Sequence, residues 1–228
     1  MTNPKKTVTI VVFGPSMKLG IPAIGEVWTI NRAYSILPAN VMDACTRYFE
    51  MHTHDHLRLW RGHDGKPHVH HLDALGRAGK RIIMQSPHPE ITASETFPLT
   101  EIQSRWPRAM FSGGEQFPLA MAIHEGYEHI RIIGVDLTDS RHQFHREGAM
   151  WWLGVANGLG IEVSGPLRLL ERYTKLYGYD YGGYGDKVWG PYQRDLTWEA
   201  FPFVIDMKKD WMPFVNKERE EDQGGRND

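Results

Sequence analysis

A chain of 228 residues is long enough to bury a substantial core without disulfides or a structural metal. Its 26 Lys and Arg nearly cancel its 28 Asp and Glu, so no net field draws it to nucleic acid or to a membrane surface. The single cysteine, Cys45, leaves no intrachain disulfide framework and suits a reducing, cytoplasmic setting.

The predicted elements alternate between strand and helix. Val8–Phe13 is short and rich in β-branched residues, as expected of a strand buried on both faces. Before it, Lys5 and Lys6 lead into an apolar run too short for a secretory signal, and no apolar stretch approaches membrane-spanning length. Val27–Ile30 forms a second strand ending at Asn31, and Tyr48–Met51 a third ending at His52. Cys45 lies among Val41, Met42, Ala44, Tyr48 and Phe49, which marks a small core residue rather than a nucleophile. A solvated, His-rich excursion is expected next, then a helix over Leu72–Ala78 with Gly79 as its C-cap. Arg81–Met84 is a fourth strand, closed by Ser86 and Pro87.

A helix over Pro118–Gly126 precedes the fifth strand, His129–Val135, which ends at Asp136. Phe144, Gly148, Trp151, Trp152, Val155 and Leu159 then share one helical face, stopped by Gly158 and Gly160. Ile161–Val163 is a short sixth strand. This rhythm predicts an α/β, Rossmann-like fold, a mostly parallel sheet with helices on both faces. It assigns residues 1–178 to a nucleotide-binding domain and 179–216 to an aromatic, Gly/Pro-rich arm suited to homo-oligomer contacts. Residues 217–228 read as a disordered, charged tail.

In an open parallel sheet ligands bind outside the carboxyl ends of the strands. The residues there are Gly14, Pro15 and Ser16, then Asn31 and Arg32, His52, Ser86 and Asp136. Gly14 permits close backbone approach, and Ser16 offers a hydroxyl and an N–H to an anion. The same three residues equally make a simple tight turn, because neither the P-loop nor the Gly-x-Gly-x-x-Gly spacing is present. Ser112-Gly113-Gly114-Glu115 looks like a capping box, but Pro118 moves the helix start to Glu115 or Gln116. That leaves a Gly-rich loop before a helix N-terminus, suited to a phosphate or ribose. Asp136 suits a turn cap, a sugar hydroxyl or Mg²⁺. His142 and His145 are candidate general bases toward an acceptor hydroxyl, or simply first-turn histidines.

Seven of the twelve histidines fall between His52 and His71. The run His52-Thr53-His54-Asp55-His56 resembles the His-x-His-x-Asp-His metal motif but is one residue short, so no metal site is assigned.

Together, Gly-Pro-Ser-Met at Gly14–Met17, Asn31, the Ser112-Gly113 loop and Gly134-Val135-Asp136 resemble the Rossmann-like superfamily of small bacterial sialyltransferases that use CMP-sialic acid. Flagellin glycosyltransferases of the motility-associated-factor type and 6-hydroxymethylpterin pyrophosphokinases share the pattern, as do phage-encoded proteins of similar length. The resemblance implies a nucleotide loop at Gly14, Pro15 and Ser16 and a nucleoside contact from Asn31. It also implies a ribose or phosphate contact from Ser112 and Gly113, with Asp136 closing the site. Where the sialyltransferases place Gly-Asn, this chain has Val12-Phe13, which removes an amide from the nucleotide. The leading expectation is a glycosyltransferase with a nucleotide or nucleotide-sugar donor. A non-catalytic nucleotide-binding protein and a pyrophosphokinase-like phosphotransferase are the alternatives, and a metal-dependent hydrolase ranks last.

Overall fold

The computed structural model describes residues 5–19, 23–62, 64–137 and 143–166. By its own contacts the chain falls into two units, Met1–Met17 with Ile21–Gly182 and Lys18–Gly20 with Gly183–Asp228. The architecture below is that of the first. The arm at 179–216, the tail at 217–228 and His142 lie outside the described residues.

Seven strands form one sheet among the described residues: β1 (Thr7–Val11), β2 (Glu26–Ile30), β3 (Cys45–Glu50), β4 (Arg81–Met84), β5 (Ser94–Thr96), β6 (His129–Ile133) and β7 (Glu162–Ser164). They lie in the order β5-β4-β3-β2-β1-β6-β7, and every pairing is parallel. Six α-helices connect them among the described residues: α1 (Ala39–Ala44), α2 (His54–Leu59), α3 (His68–Arg77), α4 (Leu99–Arg105), α5 (Gln116–His124) and α6 (Gln143–Gly158). The α/β class expected from the strand-helix rhythm is the one observed.

Side chains alternate across a strand, and here both sets are apolar because both faces are covered. Val8, Ile10, Trp28, Ile30, Phe49, Ile83, Ile130 and Ile132 join one core with residues of α4, α5 and α6. Val11, Val27, Cys45, Tyr48, Ile82 and Met84 join a second core with residues of α1, α2 and α3. Burial pushes the Cys45 thiol up to about 11, the reverse of what a nucleophile needs and in keeping with its core setting. At the amino edge of the sheet the charges tie elements together. Arg47 lies 4.4 Å over the Trp28 ring and donates to Glu125 at 2.5 Å, while Tyr127 donates to Glu26 at 2.5 Å.

The structure departs from the sequence reading in three places. First, β5 and the helices α1, α2 and α4 are additional, each only three to seven residues long. Second, β3 begins at Cys45, three residues before the expected start, because Arg47 interrupts the apolar run while still lying largely buried. Third, the His-rich segment is not a solvated excursion. It folds into α2 and α3, where His68, Val69 and Leu72 are buried.

Candidate functional site

The chain passes from β1 through β2, β3, β4 and β5 on one side of the sheet, then returns to place β6 on the other side of β1. The carboxyl ends of β1 and β6 therefore flank a topological switch point, where loops diverge and leave a crevice.

At that point the two loops are locked together. Val12 N–H donates to Ile133 O at 2.8 Å and Gly14 N–H to Gly134 O at 2.7 Å. A Cβ on Gly14 would stand 2.2 Å from Gly134 O and 2.3 Å from Asp136 Oδ2, so only glycine fits. Gly134 in turn has φ +81 and lies against Val12 O, a backbone that glycine adopts without strain. Ser16 faces inward: its N–H and its hydroxyl both donate to Asp136 Oδ2 at 2.8 Å, and its Oγ accepts from Gly134 N–H at 3.0 Å. Ser16 and Asp136 are both buried. Gly14, Ser16 and Asp136 thus form one unit, although Ser16 and Asp136 are 120 residues apart in sequence. Pro15 opens a 3-10 turn, Pro15–Leu19, and is exposed.

Beside it, β2 ends at Asn31, whose backbone is left-handed (φ 50). Asparagine tolerates that region better than most residues. Its N–H donates to Phe49 O at 2.9 Å, and its carbonyl accepts from the Tyr48 hydroxyl. Leu137, just past Asp136, is left-handed as well (φ 47). Strained backbone at two strand ends is the kind that accumulates where ligands are held.

The Asn31 side chain lies against Gly114, with Nδ2 3.3 Å from where a Cβ would project. The other side of this loop meets α6. The same construction on Gly113 lands 2.5 Å from His145 Nδ1, and His145 Nδ1 lies 3.7 Å from Glu115 Oε2. Ser112 donates through Oγ to Phe144 O at 2.9 Å. Buried Gln116 accepts from Ser112 N–H and donates to His145 O at 2.8 Å, which clamps loop and helix together. Helix α5 starts at Gln116, as Pro118 required. Its N-terminus, the positive end of the helix dipole, therefore stands at the carboxyl edge of the sheet, with the Gln116 and Phe117 N–H groups bonded to Gly113 O and Gly114 O at 3.3 and 3.4 Å.

Arg32, next to Asn31, places its guanidinium 5.1 Å from the Trp60 ring. Trp60 packs on His52 and His56 at centroid distances of 4.4 and 4.1 Å. His52 and His68 pair with the buried Glu50 at 2.5 and 2.7 Å. Farther along the edge, His54 meets His88 at 4.4 Å and approaches Ser86 at 3.4 Å. Among the described residues no three His, Cys, Asp or Glu side chains gather as metal ligands do.

The sequence reading missed Gln116, Glu115 and Glu50. A buried carboxylate at the end of a strand rich in aromatic residues was the available signal, since such a group needs partners. Gln116 carried none.

No family model matches the chain, and no curated protein matches it. Solved structures of similar chain path include the sialyltransferase CstII from Campylobacter jejuni in complex with cytidine-5'-monophosphate, at 14% identity and TM-score 0.45, covering 69% of this chain and 78% of that one. The same enzyme with CMP-3FNeuAc gives 15% and 0.45 over 75% and 86%. The apo α-2,3-sialyltransferase from Campylobacter jejuni gives 15% and 0.46 over 72% and 76%. At that level of similarity the function rests on this chain's own side chains.

Proposed function

We propose that this chain is a nucleotide-dependent transferase, a glycosyltransferase that takes a nucleotide-activated donor. One observation carries the reading. The Ser112–Gly114 loop, at the N-terminus of α5, is pressed between Asn31 at the end of β2 and His145 on α6. A glycine loop at the positive end of a helix, a side-chain amide and an imidazole thus converge beside the switch point, a set suited to phosphate and ribose recognition. Ser112 and Gly113 would face ribose or phosphate and Asn31 the nucleoside. Gly14, Pro15, Ser16 and Asp136 would form the wall that closes the site, with Arg32 at its rim. Displacement at the donor's activated carbon releases a nucleotide phosphate, which the helix terminus stabilises. The acceptor's proton passes to a histidine, for which the sequence offers His142 and His145.

The test is a thermal-shift screen of the full chain against CMP, UDP, ATP and their sugar conjugates, with and without Mg²⁺. At least one is expected to raise Tm by several degrees; no shift with any of them would sink the reading.

A second reading, a nucleotide-binding protein without turnover, has its own support. Both donors of Ser16 are spent on Asp136, so this turn offers its side chain to the protein rather than to a leaving phosphate. Binding without product release in any donor and acceptor combination would favour it.

A further inference from the structure

The carboxyl edge carries a second histidine–carboxylate pair, better aligned than that of His145. The Tyr34 hydroxyl donates to His68 Nδ1 at 2.7 Å, and His68 Nε2 donates to Glu50 Oε2 at 2.7 Å. The other oxygen, Oε1, accepts from His52 Nδ1 at 2.5 Å and from His52 N–H at 3.0 Å. Glu50 and His68 are fully buried, whereas the His52 side chain is 35% exposed.

The chemistry of the chain dictates protons. An ionised carboxylate only accepts, so His52 must carry its proton on Nδ1. In the neutral ring that leaves Nε2 with a lone pair, and among the described residues nothing hydrogen-bonds it. The ring packs against His56, stacked at 4.8 Å, and Trp60 at 4.4 Å, which also touch each other at 4.1 Å. The charged and titratable groups around it are Glu50 on its own strand, His56 on α2, His68 on α3, and Arg32, which reaches over Trp60 from the end of β2. A buried carboxylate that sets the tautomer and aim of an accessible imidazole is the arrangement of a general base.

Position agrees. Residue 52 lies just past β3, two strands from β1, which is about 10 Å across the sheet from the switch point. Arg32 and Trp60 bridge it to Asn31. We propose that His52, oriented by Glu50, rather than His142 or His145, is the general base that deprotonates an alcohol acceptor such as a sugar hydroxyl. This rests on the transferase reading. His52 Nε2 takes the hydroxyl proton as the acceptor oxygen bonds to the donor's anomeric carbon. The bond from that carbon to the phosphate oxygen breaks, and its electron pair leaves with the nucleotide. The imidazolium at His52 stays paired with the ionised Glu50, which acts as a positioning residue, and gives up its proton to solvent.

Two measurements test this on the full chain. Nitrogen-15 spectra of histidine-labelled protein at alkaline pH should show His52 protonated on Nδ1 and bare on Nε2. The opposite tautomer overturns the proposal whatever the protein binds. In turnover assays with the nucleotide-sugar found by thermal shift, His52→Asn should lower kcat by about 100-fold or more while the nucleotide still raises Tm. His52→Gln serves as a second variant, and Glu50→Gln should lower kcat with little change in KM. Variants of His52 that bind nucleotide and turn over within threefold of wild type overturn the assignment and leave the transferase reading intact. A wild-type chain that neither binds nor consumes any nucleotide-sugar overturns both.

Discussion

Asn31 shows how one residue serves backbone and ligand at once. Its left-handed φ lets β2 end abruptly, so that the side-chain amide faces Gly114 while both backbone polar groups stay paired. Backbone and amide roles separate by substitution. Asn31→Gly suits the φ and is expected to leave stability within about 0.5 kcal/mol of wild type, whereas Asn31→Ala should cost roughly 1 kcal/mol. Both should weaken the nucleotide identified by thermal shift at least tenfold in Kd by titration calorimetry. Unchanged affinity in Asn31→Gly would remove Asn31 from the site. That the strand ended at Asn31 was legible from its apolar run. That the amide meets a loop more than 80 residues later was not, because nothing local encodes that meeting.

At the scale of elements, α6 holds the site from outside. Its buried Trp152 donates through Nε1 to Met110 O at 2.8 Å and packs on Trp106 and Phe111 at 5.5 and 5.4 Å. The helix was readable from its apolar spacing, which is a local property of 3.6-residue periodicity. Its N-terminal turn is pinned by Gln116 and Ser112, so packing at Trp152 and geometry at His145 belong to one rigid piece. Trp152→Ala should cost about 3–5 kcal/mol in urea denaturation, and Trp152→Phe distinctly less. The short elements behaved differently. Three residues at Ser94–Thr96 form a strand only because Met84 and its neighbours offer an open sheet edge. Propensity has no grip on so short a segment.

At the scale of the whole molecule, the Glu50 chain joins the end of β3 to α2, α3 and Tyr34. Burial alone would push the Glu50 carboxyl up, but the hydrogen bonds from His52 and His68 outweigh it and hold it down to about 2. A carboxyl depressed on folding adds stability that is present above its unfolded value near 4.5 and lost as pH falls toward the folded value. Stability should therefore drop by about 3 kcal/mol between pH 5 and pH 2 through this group. Denaturant titrations should show that part of the slope missing in Glu50→Gln, which is itself destabilised at neutral pH. An identical slope in both would mean that Glu50 is not tied to its histidines in solution.

Local pattern by itself determined where the chain is buried and where it turns. Arg81–Met84 emerges as a strand from four residues, and Asp136 was placed at a strand end from the run before it. Apolar periodicity is set by near neighbours, so it survives without a fold. Only the tertiary structure decided which strand ends face one another. The strand order puts β6 beside β1, and this turns Ser16 toward Asp136 rather than toward solvent. It also changes the His-rich segment from a solvated loop into two helices around a buried carboxylate. Such pairings join residues tens to more than a hundred positions apart, and they form because a buried polar group must find a partner. That demand is met in space, where sequence spacing carries no record of it.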